Sequence, residues 1–279
     1  MNKFSLVTPT LGRVEELKYF LASLESQTYK NFEVIIVDQN KNDYVLDIVR
    51  EYEEIIDIIY IKSDKLGLSY NRNLGVKVAT GNIIAFPDDD CEYDINTLKI
   101  VNEFFENEKY DIYTCKVIEK KSGLQFGKSS NEDSKIKFSN IMNNCVSISI
   151  FIKFKMKSDI YFDERLGVGA KFPSGEESDL IFSLLGKGYK GYYYANNYIY
   201  HPYKENDDSR VVGDSLGLGA LMKKEIVYRK NIRMLGFYIG RILRPIVGFI
   251  VVPKRRGYFK SAIKYRILGF KKYKRMENK

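Results

Sequence analysis

Through its first 93 residues the chain alternates continuous apolar runs with amphipathic ones. Residues 4–8 form a short β-prone run that stops at Pro9. Leu17, Phe20, Leu21 and Leu24 then recur at helical spacing, which predicts a helix over residues 15–27. The stretch "FEVIIVDQN" is unbroken in Val and Ile, the pattern of a strand covered on both faces. Residues 43–54 predict a second helix, "IIDIIYIKS" a third strand, residues 69–79 a third helix and "NIIAF" a fourth strand. Strands that alternate with helices every few tens of residues predict a parallel, doubly wound sheet. After Tyr93 the alternation fades. Residues 96–107 and 178–186 read as helices, and residues 110–119 and 146–154 as strands. "KGYYYANNYIYHP" reads as a strand or hairpin. No repeat or low-complexity tract interrupts the first 222 residues.

In such sheets ligands sit beyond the carboxyl ends of the strands. Thr8, Pro9 and Thr10, then Asp38, then Ser63 and Asp64, then Asp88, Asp89 and Asp90 all fall at those ends. The last group is the least expected. An apolar strand runs straight into three like charges, which repel unless water or a cation compensates them. A polar loop after a strand accounts for a lone D-x-D, but not for acids at three neighbouring strand ends. Hard oxygen ligands at this spacing suit Mg²⁺ or Mn²⁺. No Gly-x4-Gly-Lys-Ser/Thr string or Gly-x-Gly-x-x-Gly fingerprint is present, so a phosphate-bearing ligand needs a metal and cationic side chains. Arg72, shortly after the third strand, is a candidate. In "SGEESDLIFSLL", Glu176, Glu177 and Asp179 fall near a helix start, where the dipole stabilises negative charge. A carboxylate at that place can also deprotonate a substrate hydroxyl. His201, the one histidine, follows a strand-like run and can offer an imidazole to a metal.

Taken in order, "SLVTPTLGR", "NFEVIIVDQN", "GLSYNRNLGVKVATGNIIAFPDDD", "FDERLGVGAKFPSGEESDL" and "YHPY" resemble the family 2 glycosyltransferases over residues 3–205. The resemblance implies the fold of that inverting class: an α/β GT-A domain with a mostly parallel sheet flanked by helices. It implies a Rossmann-like nucleotide-sugar-binding half over residues 1–93 and an acceptor half over residues 94–222. Thr8, Pro9 and Asp38 would line the nucleotide pocket, Asp64 would sit beside the base and Arg72 near the diphosphate. Asp88 and Asp89 would hold ribose and donor. Asp90, Asp88 and His201 would hold the divalent metal. Glu177 would be the general base, with Glu176 and Asp179 as rivals. "FDERLGVGA" would form the loop beneath sugar and acceptor. Two positions depart from the family pattern: Gly-Glu-Glu stands where Gly-Glu-Asp is usual, and Cys91 where a further acid is common. The implied partners are a nucleotide-sugar donor and a glycan or lipid-linked acceptor. A polyprenyl-phosphate acceptor, which needs no base, and a non-catalytic sugar-nucleotide- or glycan-binding subunit are the alternatives.

Charge changes the picture at the C-terminal end. The formal net charge is +9, but residues 223–279 alone carry 18 Lys and Arg against Glu225 and Glu277. The preceding 222 residues are net acidic, so the chain divides into a mildly acidic body and a basic tail. Residues 232–252 are mostly apolar, yet Arg233, Arg241 and Arg244 make a lone membrane span costly. Ile232, Leu235, Ile239, Ile242, Ile246 and Ile250 share about 80° of a helical wheel. That predicts a helix lying in the plane of an anionic membrane surface, reinforced by the basic-aromatic segment after it. No nucleic-acid recognition motif accompanies the charge. Cys91, Cys115 and Cys145 form no metal or disulfide spacing, as expected in a reducing compartment. The opening strand follows Met1 directly, which predicts no secretory leader. Sugar nucleotides are cytoplasmic, so the expected place is the inner face of a membrane.

Overall fold

The computed structural model describes residues 1–203 and 208–275. Residues 204–207 and the last four of the basic tail, 276–279, lie outside the described residues. The first half follows the apolar pattern closely. Strand β1 (Phe4–Thr10) and helix α1 (Glu15–Glu25) are followed by β2 (Phe32–Asp38) and α2 (Tyr44–Tyr52). Next come β3 (Ile58–Lys62), α3 (Leu68–Val78) and β4 (Ile83–Ala85). β1 and β2 are buried at every position, as strands covered on both faces are. Alternate residues serve opposite faces. Phe4 and Leu6 pack with Leu17, Phe20 and Val45 on one side, and Val7 packs with Val76, Leu180 and Ile181 on the other.

Four parallel strands run β3-β2-β1-β4. Their register pairs Thr10 with Asp38 and Asp38 with Lys62, so the carboxyl ends form one rim. Helix α3 lies close on β1 because Gly75 faces Val7, where a Cβ would meet the Val7 side chain at 2.3 Å.

The second half adds β5 (Glu92–Tyr93), α4 (Thr97–Asn107), β6 (Ile112–Ile118), β7 (Ser134–Lys135) and α5 (Ile141–Asn144). β8 (Phe151–Lys153), α6 (Glu176–Gly186) and β9 (Gly191–Tyr200) complete it. The sheet becomes mixed here: β8 is antiparallel to β4 and β6, and β9 is parallel to β6. The expected strand over 146–154 is mostly a 3₁₀ turn, Ser147–Ser149, that leads into the short β8. The tyrosine-rich run is one strand with a bulge opposite Cys115 and Lys116, which absorbs "ANN". β5 pairs antiparallel with the far end of β9, Glu92 opposite Tyr200. That pairing carries His201 to the aspartates.

The basic tail is helical. α7 (Val211–Lys223) continues through a π-helical turn (Lys224–Tyr228), so the expected division at residue 222 falls within continuous helix. α8 (Arg233–Val251) and α9 (Arg256–Lys272) follow. α7 and α9 cross at glycines. A Cβ on Gly219 would lie 2.1 Å from the Arg266 carbonyl oxygen, and one on Gly269 2.0 Å from that of Leu216. Ile232, just before α8, and Leu235, Ile239, Leu243, Ile246, Val247 and Ile250 on it are exposed. α8 is also long and apolar enough to cross a membrane by length and composition.

Candidate active site

The parallel rim is stitched by the side chains of "DQN". Asp38 is fully buried and accepts hydrogen bonds from the Asn40 backbone (2.8 Å) and side chain (2.7 Å), Tyr60 (2.7 Å) and Lys62 (2.9 Å). Burial alone would raise its carboxyl, but these donors outweigh burial and hold it below the usual range. Burial and the same carboxylate push the Tyr60 phenol up to about 12. The Asn40 side chain accepts from Gly12 N–H, and that of Gln39 from Gly67 N–H, which ties the loops after β1 and β3 to the end of β2. Thr8 and Pro9 are buried within β1 and back the rim. Asp64 is exposed on the loop after β3.

At the next strand end the three aspartates diverge. One ligand atom from each of Asp88, Asp90 and His201 lies within 4.8 Å of the other two. His201 Nδ1 is 2.8 Å from the Pro202 carbonyl oxygen, which can only accept, so Nδ1 carries the proton. Nε2 then points a lone pair at an Asp90 oxygen 3.2 Å away. Two acceptors so placed repel unless a cation lies between them. Hard carboxylate oxygens with an oriented neutral imidazole fit a divalent metal, with the Pro202 carbonyl fixing the tautomer. Arg13, which sequence reasoning missed, reaches Asp89 at 2.7 Å and Asp90 at 2.6 Å. Burial raises the Asp89 carboxyl, and Arg13 opposes that. The signal was present: Arg13 follows the carboxyl end of β1 within three residues. Cys91 turns into the apolar core, and burial pushes its thiol well up. An acid at that position would face the same burial penalty.

Arg72 links this cluster to α6. It is fully buried, with Nη2 donating to Asp88 (3.1 Å) and Ser147 (3.2 Å) and Nη1 to Glu176 (3.5 Å). Its guanidinium lies over the rings of Phe162 and Phe86. Sealed from solvent, Arg72 orients Asp88 and Glu176 and offers a ligand no face of its own. Glu176 is thereby committed to Arg72. Asp179 is committed as well, paired with Lys224 at 2.8 Å and Arg229 at 2.9 Å. Glu177, in the same first turn, makes no ion pair among the described residues and borders a cavity of about 350 Å³. Burial pushes its carboxyl well up, and the neighbouring Glu176 charge adds to this.

The "FDERLGVGA" loop sits against both α3 and α6. Asn73 bonds the Phe162 backbone at both N–H and C=O, and Ser69 Oγ donates to the Leu166 carbonyl (2.6 Å). Gly167 has φ +98°, and a Cβ there would lie 3.1 Å from the Glu176 carboxyl carbon. Asp163, almost fully buried, accepts from Arg165 (2.8 and 2.6 Å), Lys224 (2.8 Å) and Tyr273 (2.6 Å). Despite burial these partners hold its carboxyl far below the usual range. Tyr273 follows the last helix, so the tail braces this loop.

A Rossmann-like rim, an acidic cluster at a strand end and a carboxylate beside it across a mixed sheet define a GT-A type α/β domain. Residues 5–157 match the Glycosyl transferase family 2 profile, and the chain belongs to that family. It is similar to the GalNAc(5)-diNAcBac-PP-undecaprenol beta-1,3-glucosyltransferase of Campylobacter jejuni, 27% identical over 161 residues, 56% of this chain and 52% of that one. Its fold matches S. aureus TarS residues 1–349 in complex with UDP-GlcNAc, with a TM-score of 0.71 and 19% identity over 96% of this chain and 81% of that one. It also matches the mannosyltransferase PcManGT from Pyrobaculum calidifontis in complex with GDP-Man and Mn²⁺. There the TM-score is 0.62 and the identity 15%, over 81% and 64% of the two chains. The chain spans 24% and 52% of the length of the curated relatives it matches first.

Proposed function

We propose that the protein is an inverting glycosyltransferase that moves a sugar from a nucleotide-sugar donor to a hydroxyl on a lipid-linked or growing surface glycan. The observation that carries this reading is Glu177. It is the one first-turn carboxylate of α6 with no ion pair among the described residues, it borders a cavity, and its carboxyl is raised by burial and by the neighbouring Glu176 charge. A carboxyl raised above its ordinary range is the stronger base. Glu177 takes the proton of the acceptor hydroxyl, whose oxygen attacks the anomeric carbon. The bond from that carbon to the diphosphate oxygen breaks, and configuration inverts. Asp38 with Lys62 and Tyr60 forms the wall that receives the base. Asp88, Asp89, Asp90 and His201 form the donor end, with Asp88, Asp90 and His201 as ligands for Mg²⁺ or Mn²⁺. When bound, the metal supplies charge neutralisation to the departing diphosphate. Arg72 holds Asp88 and Glu176 in fixed relation, so donor end and base keep their spacing.

The same proposal places the protein on the cytoplasmic face of a membrane. The exposed aliphatic side chains of α8, bordered by the basic residues of α9, suit an anionic lipid surface. A thermal-shift screen across UDP-, GDP- and dTDP-sugars with Mn²⁺ or Mg²⁺ tests the donor assignment, because a ligand that binds only the native state raises Tm. A metal-dependent rise with one nucleotide class is expected. No rise with any of them would overturn it.

A further inference from the structure

The cavity that Glu177 borders is closed on its far side by the basic tail. Ser174 and Glu177 form one wall, Asp214 on α7 another, and Arg241 on α8 and Arg266 on α9 the third. Both arginines are half-buried, and both carry a buried Nε–H with no acceptor. Among the described residues no carboxylate forms an ion pair with either. The nearby Asp208 pairs with Arg255 instead. Arg266 donates to the backbone carbonyl oxygen of Arg241, which ties the Arg266 side chain to α8 at that residue. Burial lowers both guanidinium pKa values, and each feels a second arginine: Arg244 for Arg241, and Arg241 for Arg266. Elsewhere in this protein buried arginines are matched by carboxylates, although Arg72 also has an Nε–H with no acceptor. Arg72 has Asp88 and Glu176, and Arg229 has Asp179 and Glu225. Arg241 lies over the Phe237 ring, and Asp208 and Asp214 line the same cavity without pairing with either arginine. Two adjacent, partly desolvated guanidiniums with no ion-pair partner are costly unless an anion occupies the cavity. The planar fork of free N–H groups matches phosphate oxygens. The cavity also abuts the amino end of α6, whose dipole favours negative charge.

We propose that Arg241 and Arg266 form an anion subsite for a phosphoryl or diphosphoryl group carried by the acceptor. The enzyme would then recognise phosphorylated acceptors rather than neutral sugars. The assignment to the acceptor rests on Glu177 being the base, since the cavity lies on the Glu177 side of α6. It also gives the tail a role in specificity, because both arginines come from it.

The test is titration calorimetry of the full chain with inorganic pyrophosphate in the presence of a chelator, which removes metal-dependent binding at the donor end. Wild type is expected to bind. Arg241→Gln and Arg266→Gln should each weaken binding about tenfold or more, the loss of at least one charge-assisted hydrogen bond. Arg→Lys at either position should fall between, keeping the charge without the fork. Equal affinity across the set overturns the proposal. Both Gln variants should melt near wild type, because the unpaired charge each removes offsets the contact it loses, the Phe237 ring for Arg241 and the Arg241 carbonyl for Arg266. A second arm uses phosphatidylglycerol vesicles. If the Gln variants lose vesicle binding in step with pyrophosphate binding, the anion is a membrane headgroup and the acceptor assignment is overturned. Retained vesicle binding with lost pyrophosphate binding supports it. Neither readout involves sugar transfer, so both stand apart from the role of Glu177.

Discussion

Tyr273→Phe isolates the brace between the tail and the "FDERLGVGA" loop. The Tyr273 side chain is almost fully buried, and its hydroxyl donates to Asp163 at 2.6 Å while accepting from Arg165. Phenylalanine keeps the ring, its packing on Phe172 and the Arg165 contact over its face, so only the hydroxyl is lost. A buried hydrogen bond to a charged acceptor contributes about 1.5–3 kcal/mol. Asp163 keeps Lys224 and Arg165, so a loss of about 2 kcal/mol is expected, or a Tm lower by about 4–8 °C for a chain of this size. The pH dependence has a definite sign. The Asp163 carboxyl is held below its ordinary value of 3.8, so its contribution is present above that value and is lost as pH falls. The gap between Tyr273→Phe and wild type should therefore be full at pH 7, still present at about pH 4, and shrink only as pH falls further, through the depressed folded-state value. Calorimetry at pH 7 and at pH 4 checks this. A Tm within about 1 °C of wild type at pH 7 would refute the brace.

Three further outcomes follow. Glu33, whose carboxyl is lowered to about 2 by Ser5, Thr80 and Lys3 despite burial, stabilises above its ordinary 4.5 and loses this as pH falls toward 2. Glu33→Gln should lower Tm at pH 7 but not at pH 2, and equal losses at both would contradict the assignment. Ile246→Asp and Ile250→Asp change exposed positions on α8, so they should leave Tm near wild type while weakening co-sedimentation with anionic liposomes. Unchanged co-sedimentation would sink surface docking through this face. Exhaustive chelation should abolish transfer, with recovery on adding Mn²⁺ or Mg²⁺, and His201→Ala should raise the metal concentration needed for half recovery. Activity that survives chelation excludes a metal role for Asp88, Asp90 and His201.

The parallel half was legible because its central strands are buried on both faces: their apolar runs placed β1, β2 and β4 within two residues, while the half-exposed edge strand β3 begins three residues later than "IIDIIYIKS". The aspartate cluster was legible for the same reason: a strand end is where such a sheet exposes ligand groups. What was hidden is set by long-range pairing. No local pattern tells that β5 pairs with β9 and brings His201 to Asp90. Nor does any tell that Arg72 is sealed between Asp88 and Glu176, or that Asp179 is spent on Lys224 and Arg229. The tail was legible as amphipathic helix from its apolar period. Its glycines, which let α7 and α9 cross at backbone distance, and Arg241 and Arg266, which turn toward a cavity instead of solvent, depend on neighbours far away in sequence.

The central claim is that Glu177 is the base. Single-turnover transfer by Glu177→Gln, with donor affinity measured on the same protein, tests it most directly. Transfer should fall about 10²–10⁴-fold with donor affinity unchanged. In wild type, transfer should rise with pH through an apparent pKa above the ordinary carboxylate range, a rise the variant lacks. Full transfer by Glu177→Gln would contradict the account and favour an acceptor that is already ionised, such as a polyprenyl phosphate.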